Sequence, residues 1–377
     1  MFKSFWQGGF ECSTHVLANG KRLDVVSATL HDQLAAPDFR RLTNVEIRTA
    51  REGARWHLIE QRPGHYDFAS VQTIVSAAQQ EGVEVVWDLL HFGWPDWLDI
   101  FTAEWVVAFR QFAEAFAKFL DKATDEPIWI CPINEISFFS WAGGDTAYLN
   151  PFATQSGAAL KEQLVRGYLA AADAIRAEAP RAKIVAVEPV IHIVGDAKKP
   201  RDVVEAAQYR ESMFEAWDMI VGRVHPDLGG SPDYIDVIGV NYYPRNQWWN
   251  FGKTIWRWEP EYRPFSDILA EVYERYHKPL FVSETGTEDE DRPAWLAYVS
   301  QEARSAMQQG VPVHGICWYP ILNHPGWDDD RHCHNGLWDY PQRDGVREVY
   351  QPLAEELKRQ QHLFKGEFNE ISSATQL

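Results

Sequence analysis

Two glutamates in this 377-residue sequence stand at the ends of strongly apolar segments. Glu135 follows the run 128–134, and Glu284 follows the run 279–283. Burial disfavours the charged form of a carboxylate, so a glutamate directly after a buried strand costs folding free energy unless it is paired or has a functional role. Two carboxylates that face one cavity from opposite walls suit a reaction that needs attack on one side of a carbon and protonation on the other. A simple ion pair at each strand end is the structural alternative.

Repeated short apolar runs, each followed by a segment with helical spacing, surround these glutamates. They predict eight strands at 5–11, 45–49, 83–90, 128–134, 183–188, 234–241, 279–284 and 313–318. Helices are predicted at 68–80, 103–122, 158–179, 203–221, 266–276, 294–309 and 346–361, with a short one near 37–42. The pattern predicts an α/β fold, a closed (β/α)₈ barrel with elongated loops after strands 4, 6 and 8. A doubly wound open sheet is the alternative, but no Gly-rich nucleotide-binding turn follows the first strand.

The predicted barrel places functional side chains at the carboxyl ends of its strands. Polar or aromatic residues occur at several of these ends and are candidates for substrate contacts: Arg48, His91, Asn134, Asn241, Tyr243 and Trp318. Both glutamates lie on the same predicted rim, and strands 4 and 7 lie nearly opposite each other. The sequence therefore predicts one shared site at this end of the barrel.

Composition limits the classes of partner. The formal net charge of −18 opposes binding to nucleic acids and anionic membranes, and no apolar run is long enough to span a bilayer. Aromatic residues make up 14% of the chain, and their faces can stack on sugar rings. We expect a cytoplasmic protein with one barrel domain, 1–365, and a polar C-terminal tail, 366–377. The sequence does not define the oligomeric state.

Four segments, in order and on the expected strands, resemble those of the family 1 glycoside hydrolases. They are 90–98, 132–135, 238–243 and 278–286. The resemblance implies a retaining (β/α)₈ glycosidase in which Glu284 is the nucleophile and Glu135 is the general acid/base. It also implies that Asn134 contacts the sugar 2-hydroxyl and that Tyr243 donates a hydrogen bond to the nucleophile.

The resemblance extends to other candidate residues. It implies a role in the sugar site for His91 and Asn241. Arg48 and Arg55 match the seven-residue spacing of two arginines in the family, the first of which lies near the nucleophile. Pairing of Arg48 with a carboxylate such as Glu46 is the structural alternative.

Two positions depart from the family pattern. Gly326 precedes Trp327 where the family has a glutamate that binds sugar hydroxyls, and His15 falls closest to a family glutamine. We therefore expect His15, Trp327 and Asp328 to contribute to an altered sugar site.

The loop 328–334 also contains residue types that bind metals, namely Asp328, Asp329, Asp330, His332 and His334. A metal-dependent barrel hydrolase or isomerase is thus one alternative function, and an inactive carbohydrate-binding barrel is another. The favoured prediction is a retaining β-glycosidase that acts on a carbohydrate substrate without a cofactor or catalytic metal.

Overall fold

Eight parallel strands close into a barrel in the computed structural model, which describes the backbone of residues 1–374 and the side chains of residues 1–365. The strands are β1 (Trp6–Gly9), β2 (Thr49–Gly53), β3 (Glu84–Leu90), β4 (Trp129–Ile133), β5 (Lys183–Pro189), β6 (Val237–Asn241), β7 (Leu280–Thr285) and β8 (Val313–Trp318). Each strand pairs with its neighbours in chain order, and β1 pairs with both β2 and β8. The predicted (β/α)₈ barrel is confirmed.

Twelve α-helices are found in the described part of the chain, and the longer ones surround the barrel. They are α1 (Val25–Ala28), α2 (His31–Asn44), α3 (Trp56–Ile59), α4 (Ala69–Glu81), α5 (Ala103–Ala123), α6 (Ile136–Phe139), α7 (Gly157–Glu178), α8 (Pro200–Glu211), α9 (Glu215–Ile220), α10 (Phe265–Tyr276), α11 (Arg292–Gln308) and α12 (Gln351–Ala374). No helix among residues 1–374 is both long and apolar enough to cross a membrane.

The sequence explains why these elements form the core. All seven residues of β3 are buried, as expected for a parallel strand covered on both faces. In α5 the buried aromatic residues recur at helical spacing, at Trp105, Phe109, Phe112 and Phe116. This apolar face packs the helix onto the barrel and fixes the strands that carry the polar rim.

Three long connections follow β4, β6 and β8, as predicted. The first contains α6 and a π-helix, Ser140–Asp145. The second contributes Gln247–Trp249, which pairs with His192–Val194 from the loop after β5. The third contains two antiparallel pairs, His324–Pro325 with His332–Cys333 and Trp338–Pro341 with Arg347–Val349. Short 3₁₀ turns complete the structure at Ser212–Phe214, Pro226–Leu228, Pro232–Tyr234 and Asp289–Asp291.

Several predicted boundaries are wrong. The second strand begins at Thr49, where the prediction ends it, because the apolar residues before it close α2 and pack in the core. The helix predicted at 203–221 is divided into α8, a 3₁₀ turn and α9. The last helix begins at Gln351 and extends to Ala374, into the predicted tail 366–377. Residues 375–377 lie outside the described residues.

A buried ionic cluster anchors β2 to α2. The His31 ring lies between Asp38, 2.9 Å from Nδ1, and Glu52, 2.8 Å from Nε2. Arg347 donates hydrogen bonds to both Asp38 oxygens, at 2.7 and 2.9 Å. Burial lowers the pKa of His31, but the charge of Glu52 and the hydrogen bonds to both carboxylates raise it overall to about 9. His31 is therefore a buried cation at neutral pH.

We predict that His31→Phe lowers the free energy of unfolding by about 3 to 5 kcal/mol, because it leaves two buried carboxylates without their shared cation. Urea denaturation at pH 7 measures this loss. The matched control, Arg40→Ala, removes an exposed ion pair of α2 and should leave the midpoint nearly unchanged.

The same cluster gives a pH dependence. The stabilisation from His31 is complete below its unfolded pKa of about 6.5 and is lost as pH rises through about 9. The difference between wild type and His31→Phe should therefore shrink between pH 7 and pH 10. A constant difference over that range would contradict the assignment of the charge to His31.

Candidate active site

Glu135 occupies the turn that directly follows β4. Its backbone is left-handed, with φ of 48°, and it begins the short helix α6. Hydrogen bonds hold this turn from both sides: the Glu135 amide donates to the Val187 carbonyl at 3.1 Å, and the Ser137 amide donates to Oε2 of Glu188 at 2.9 Å. A left-handed residue other than glycine is unfavourable, so these bonds to β5 maintain a conformation that the chain would not adopt alone.

Asn241, the last residue of β6, orients the Glu135 side chain. Its Nδ2 donates to Oε1 of Glu135 at 2.8 Å. The amide is fixed in this orientation because Oγ of Ser283 donates to its Oδ1 at 2.7 Å. The carboxyl group of Glu135 is thereby directed into the barrel mouth.

Glu284 extends from β7 and is only 5% exposed. Two donors fix its two oxygens: Nη1 of Arg51 lies 2.7 Å from Oε1, and the hydroxyl of Tyr243 lies 2.8 Å from Oε2. The donation from Tyr243 agrees with the expectation from the family resemblance.

Arg51 is the central cation of the site and has no exposed surface (0%). Besides Glu284, it contacts both oxygens of Asp88, with Nε at 3.1 Å and Nη2 at 2.7 Å, and it donates to Oδ1 of Asn134 at 2.7 Å. These bonds connect β2 with β3, β4 and β7. Such charge-assisted, bidentate contacts define the orientation of a side chain more strictly than a single ion pair does.

The two glutamates have different electrostatic environments. Burial and then the charge of Glu284 raise the pKa of Glu135 to about 8. Burial also raises the pKa of Glu284, but the Arg51 charge and the Tyr243 hydrogen bond oppose that rise. Because only Glu284 contacts a cation, a proton shared by the pair resides on Glu135. The arrangement therefore combines one carboxylic acid with one carboxylate.

His91 completes the floor of the site. Its Nδ1 lies 3.0 Å from Oδ2 of Asp88 and 3.2 Å from Sγ of Cys12, while Nε2 lies 3.2 Å from Nδ2 of Asn134. Asp88 thus binds both Arg51 and His91 and fixes their relative position.

Both glutamates line one cavity of about 870 Å³. Its walls carry several aromatic side chains: Phe92, Phe138, Trp141, Tyr209, Tyr243, Trp248 and Trp327. Of the predicted site residues, six line it: His91, Asn134, Glu135, Tyr243, Glu284 and Trp327. Asn241 lies behind them, in contact with Glu135.

The prediction that Arg48 lies beside the nucleophile is wrong. Arg48 is exposed just before β2, and its carbonyl accepts a hydrogen bond from the Glu84 amide at the start of β3. Arg51 occupies the predicted place instead, because β2 starts four residues later than the prediction and carries Arg51 on its interior face. Arg55 pairs with Asp24 and Asp32 away from the cavity.

Three other predicted residues lie outside the cavity lining. Asp328 is exposed and accepts a hydrogen bond from the Tyr148 hydroxyl at 2.8 Å. Trp318 is buried and donates to the Asn335 carbonyl at 2.8 Å. His15 is fully buried behind Trp327, and neither ring nitrogen finds a hydrogen-bond partner in the described part of the chain. At Gly326 a Cβ atom would lie only 2.3 Å from Oδ1 of Asp329, so this position does not admit a larger side chain unless Asp329 moves.

Residues with metal-ligand types cluster at two places in the described part of the chain. His332, His334 and Asp339 group on the loop after β8, with Nε2 of His332 2.6 Å from Oδ1 of Asp339, and none of them lines the cavity. Cys12, Asp88 and His91 form the second group, in which Asp88 is already paired with Arg51.

Three residues of the site are absent from the predicted set: Glu11, Arg51 and Asp88. Arg51 lies in a polar strand that carries no apolar run to reveal it. Asp88 was visible as a charge inside the apolar run 83–90, a signal for a buried ionic partner. Glu11 closes the first predicted strand but has no counterpart among the family motifs.

Comparisons with known proteins address the fold. No protein-family model matches the chain, and no curated protein matches it. The family 1 β-glucosidase from Thermotoga maritima is 15% identical with a TM-score of 0.77, covering 95% of this chain and 97% of that chain. The same enzyme in complex with glucoimidazole gives 16% identity with the same TM-score and coverage. A hyperthermophilic β-glucosidase mutant gives 16% identity and a TM-score of 0.76 over 95% of this chain and 100% of that chain. The chain therefore has the (β/α)₈ fold of these β-glucosidases along nearly its whole length.

Proposed function

We propose that this protein is a retaining β-glycosidase that hydrolyses a β-linked glycoside or oligosaccharide. The observation that carries the proposal is the unequal pair of glutamates in one cavity: Glu284 is held by Arg51 and Tyr243, and Glu135 has a pKa raised to about 8. β-Glucosidases of the same fold, solved in complex with glucoimidazole and castanospermine, support a carbohydrate substrate.

The first step forms a covalent glycosyl-enzyme. A carboxylate oxygen of Glu284 attacks the anomeric carbon while the bond to the leaving oxygen breaks and Glu135 transfers its proton to that oxygen. Arg51 and Tyr243 keep Glu284 anionic and oriented before the attack. The raised pKa of Glu135 maintains the proton that the leaving group requires.

The second step releases the sugar. Glu135, now a carboxylate, takes a proton from water; the water oxygen attacks the anomeric carbon, and the bond to Glu284 breaks. Both groups return to their initial protonation states. We expect Asn134 to contact the sugar beside the reacting carbon; its position next to Glu135 and its hydrogen bond from Arg51 support this role.

Separate substitution of the two glutamates tests the proposal. Glu284→Gly should abolish hydrolysis of nitrophenyl β-glycosides, and azide should restore turnover to a glycosyl azide of inverted configuration, because it fills the vacated nucleophile site. Glu135→Ala should reduce kcat/KM by about 10² to 10⁴-fold for poor leaving groups and spare activated ones. Product configuration by NMR and initial rates measure both.

The alternatives predict other outcomes. A carbohydrate-binding barrel without activity would bind sugars in calorimetry without turnover in the wild type. A metal-dependent hydrolase would lose activity with a chelator, whereas the proposed enzyme should retain it. Retained activity in both glutamate variants would exclude the proposed mechanism.

The pH profile of kcat/KM should be bell-shaped. Activity falls as pH rises through about 8, because Glu135 must be protonated to donate its proton. It also falls on the acidic side, where Glu284 becomes protonated, at a pH above the ordinary glutamate value. Glu135→Gln assayed with an activated leaving group should lose the alkaline limb, and persistence of that limb would assign it to another group.

Arg51 and Arg48 offer a matched pair of variants. Arg51→Met should lower kcat/KM by about ten- to a hundredfold, because Glu284 loses a charged hydrogen-bond partner. Arg51→Lys should recover part of that loss. Arg48→Met should resemble wild type, since Arg48 is exposed and remote. Circular dichroism confirms folding, and equal effects of both methionine variants would refute the role of Arg51.

A further inference from the structure

Glu11 is a third acidic residue in the cavity that contains Glu135 and Glu284, and the proposed mechanism does not use it. We propose that Glu11 binds a ring hydroxyl of the sugar that reacts at Glu284 and thereby determines which glycosides are accepted. This inference rests on the proposed function and extends it to the specificity of the sugar position.

The carboxyl group of Glu11 is fixed on one side and free on the other. Its Oε1 accepts hydrogen bonds from the Ser13 amide at 2.9 Å and from the Ser13 hydroxyl. No group in the described part of the chain donates to Oε2. Because Glu11 lines the cavity while only 9% exposed, this second oxygen can accept a bond from a bound molecule.

Glu11 is charged at neutral pH. Burial raises the pKa of its carboxyl group, but the charges of His91 and His324 and the hydrogen bonds from Ser13 lower it overall. A buried anion with an unpartnered oxygen is costly unless a donor reaches it. When substrate displaces water from the cavity, a sugar hydroxyl supplies that donor.

The other acidic residues of the cavity wall have different surroundings. Asp145 is exposed, and its Oδ1 accepts from the Gly157 amide at 2.8 Å. Glu215 is partly exposed and pairs with Lys161. Glu135 and Glu284 carry the proposed reaction. Among the carboxylates of the lining, Glu11 is therefore the buried one that is available for recognition alone.

Its position selects the part of the substrate that it binds. The next residue, Cys12, has its Sγ 3.2 Å from Nδ1 of His91 on the floor of the site, and Glu11 and His91 line the same cavity as Glu284. The carboxylate of Glu11 therefore acts on the ring that reacts and not on a distant sugar unit. Glu284 and Glu135 act at the anomeric carbon, and Asn134 is expected to contact the hydroxyl on its neighbour, C2. A hydroxyl at C3, C4 or C6 remains for Glu11.

The test combines variants with deoxy substrates. The kcat/KM values of wild type, Glu11→Gln and Glu11→Ala are measured with the best nitrophenyl β-glycoside and its 3-, 4- and 6-deoxy analogues. In wild type, kcat/KM for one of the deoxy analogues should be about ten- to a hundredfold lower than for the parent substrate, the usual effect of losing a hydrogen bond to a charged group. In Glu11→Ala, kcat/KM for the parent substrate should fall by a similar factor, whereas kcat/KM for that analogue should fall little below its wild-type value. Glu11→Gln, which keeps an acceptor without charge, should be intermediate.

Controls separate this role from a purely structural one. Glu104→Gln, on the exposed first turn of α5, should leave every ratio as in wild type. If the role of Glu11 is structural, Glu11→Ala should lower kcat/KM equally for all substrates and leave the deoxy penalty unchanged. That result would overturn the inference, whereas the proposed function would stand because turnover would still depend on Glu284. If wild type hydrolyses no glycoside in the panel, the proposed function fails, and the inference fails with it.

Discussion

The buried guanidinium of Arg51 is the interaction on which the site depends. One planar cation joins Asp88 of β3, Asn134 directly after β4, and Glu284 of β7. Removing such a charge from water is costly, and only a nearly complete set of acceptors offsets that cost. The barrel provides this set because closed parallel strands converge at one end. The positions of Glu284 and of Asn134, the neighbour of Glu135, therefore depend on the same cation.

β2 carries ionic contacts on both of its faces. Successive side chains of a strand point in opposite directions, so Arg51 faces the barrel interior while Glu52 faces α2. On the inner side the strand is bound to Asp88 and Glu284; on the outer side it is bound to His31. A displacement of β2 would break both sets of contacts. This double attachment explains how a short, polar strand holds a defined register between β1 and β3.

The sequence predicted the barrel and most of its rim. Glu135, Glu284, His91 and Tyr243 follow apolar runs, and burial of those runs determines where the side chains emerge. The polar strand β2 gave no such signal, because its stability comes from ion pairs with distant residues. The prediction placed the strand at 45–49 and selected Arg48 from its spacing to Arg55, whereas the strand carries Arg51 into the site. Glu11 escaped attention for a related reason, since its significance depends on a cavity that only the folded chain creates.

The π-helix Ser140–Asp145 bears on how the shape of the cavity can change. Its hydrogen bonds span five residues, against four in an α-helix, so a π-helical turn holds about one residue more. Here it contributes Trp141 and Asp145 to the cavity wall, whereas Glu135 is anchored upstream by β5 and β6. Insertion or deletion of one residue in this turn can therefore reshape the cavity wall and leave Glu135 in place. The shape of this wall is thereby independent of the contacts that fix Glu135.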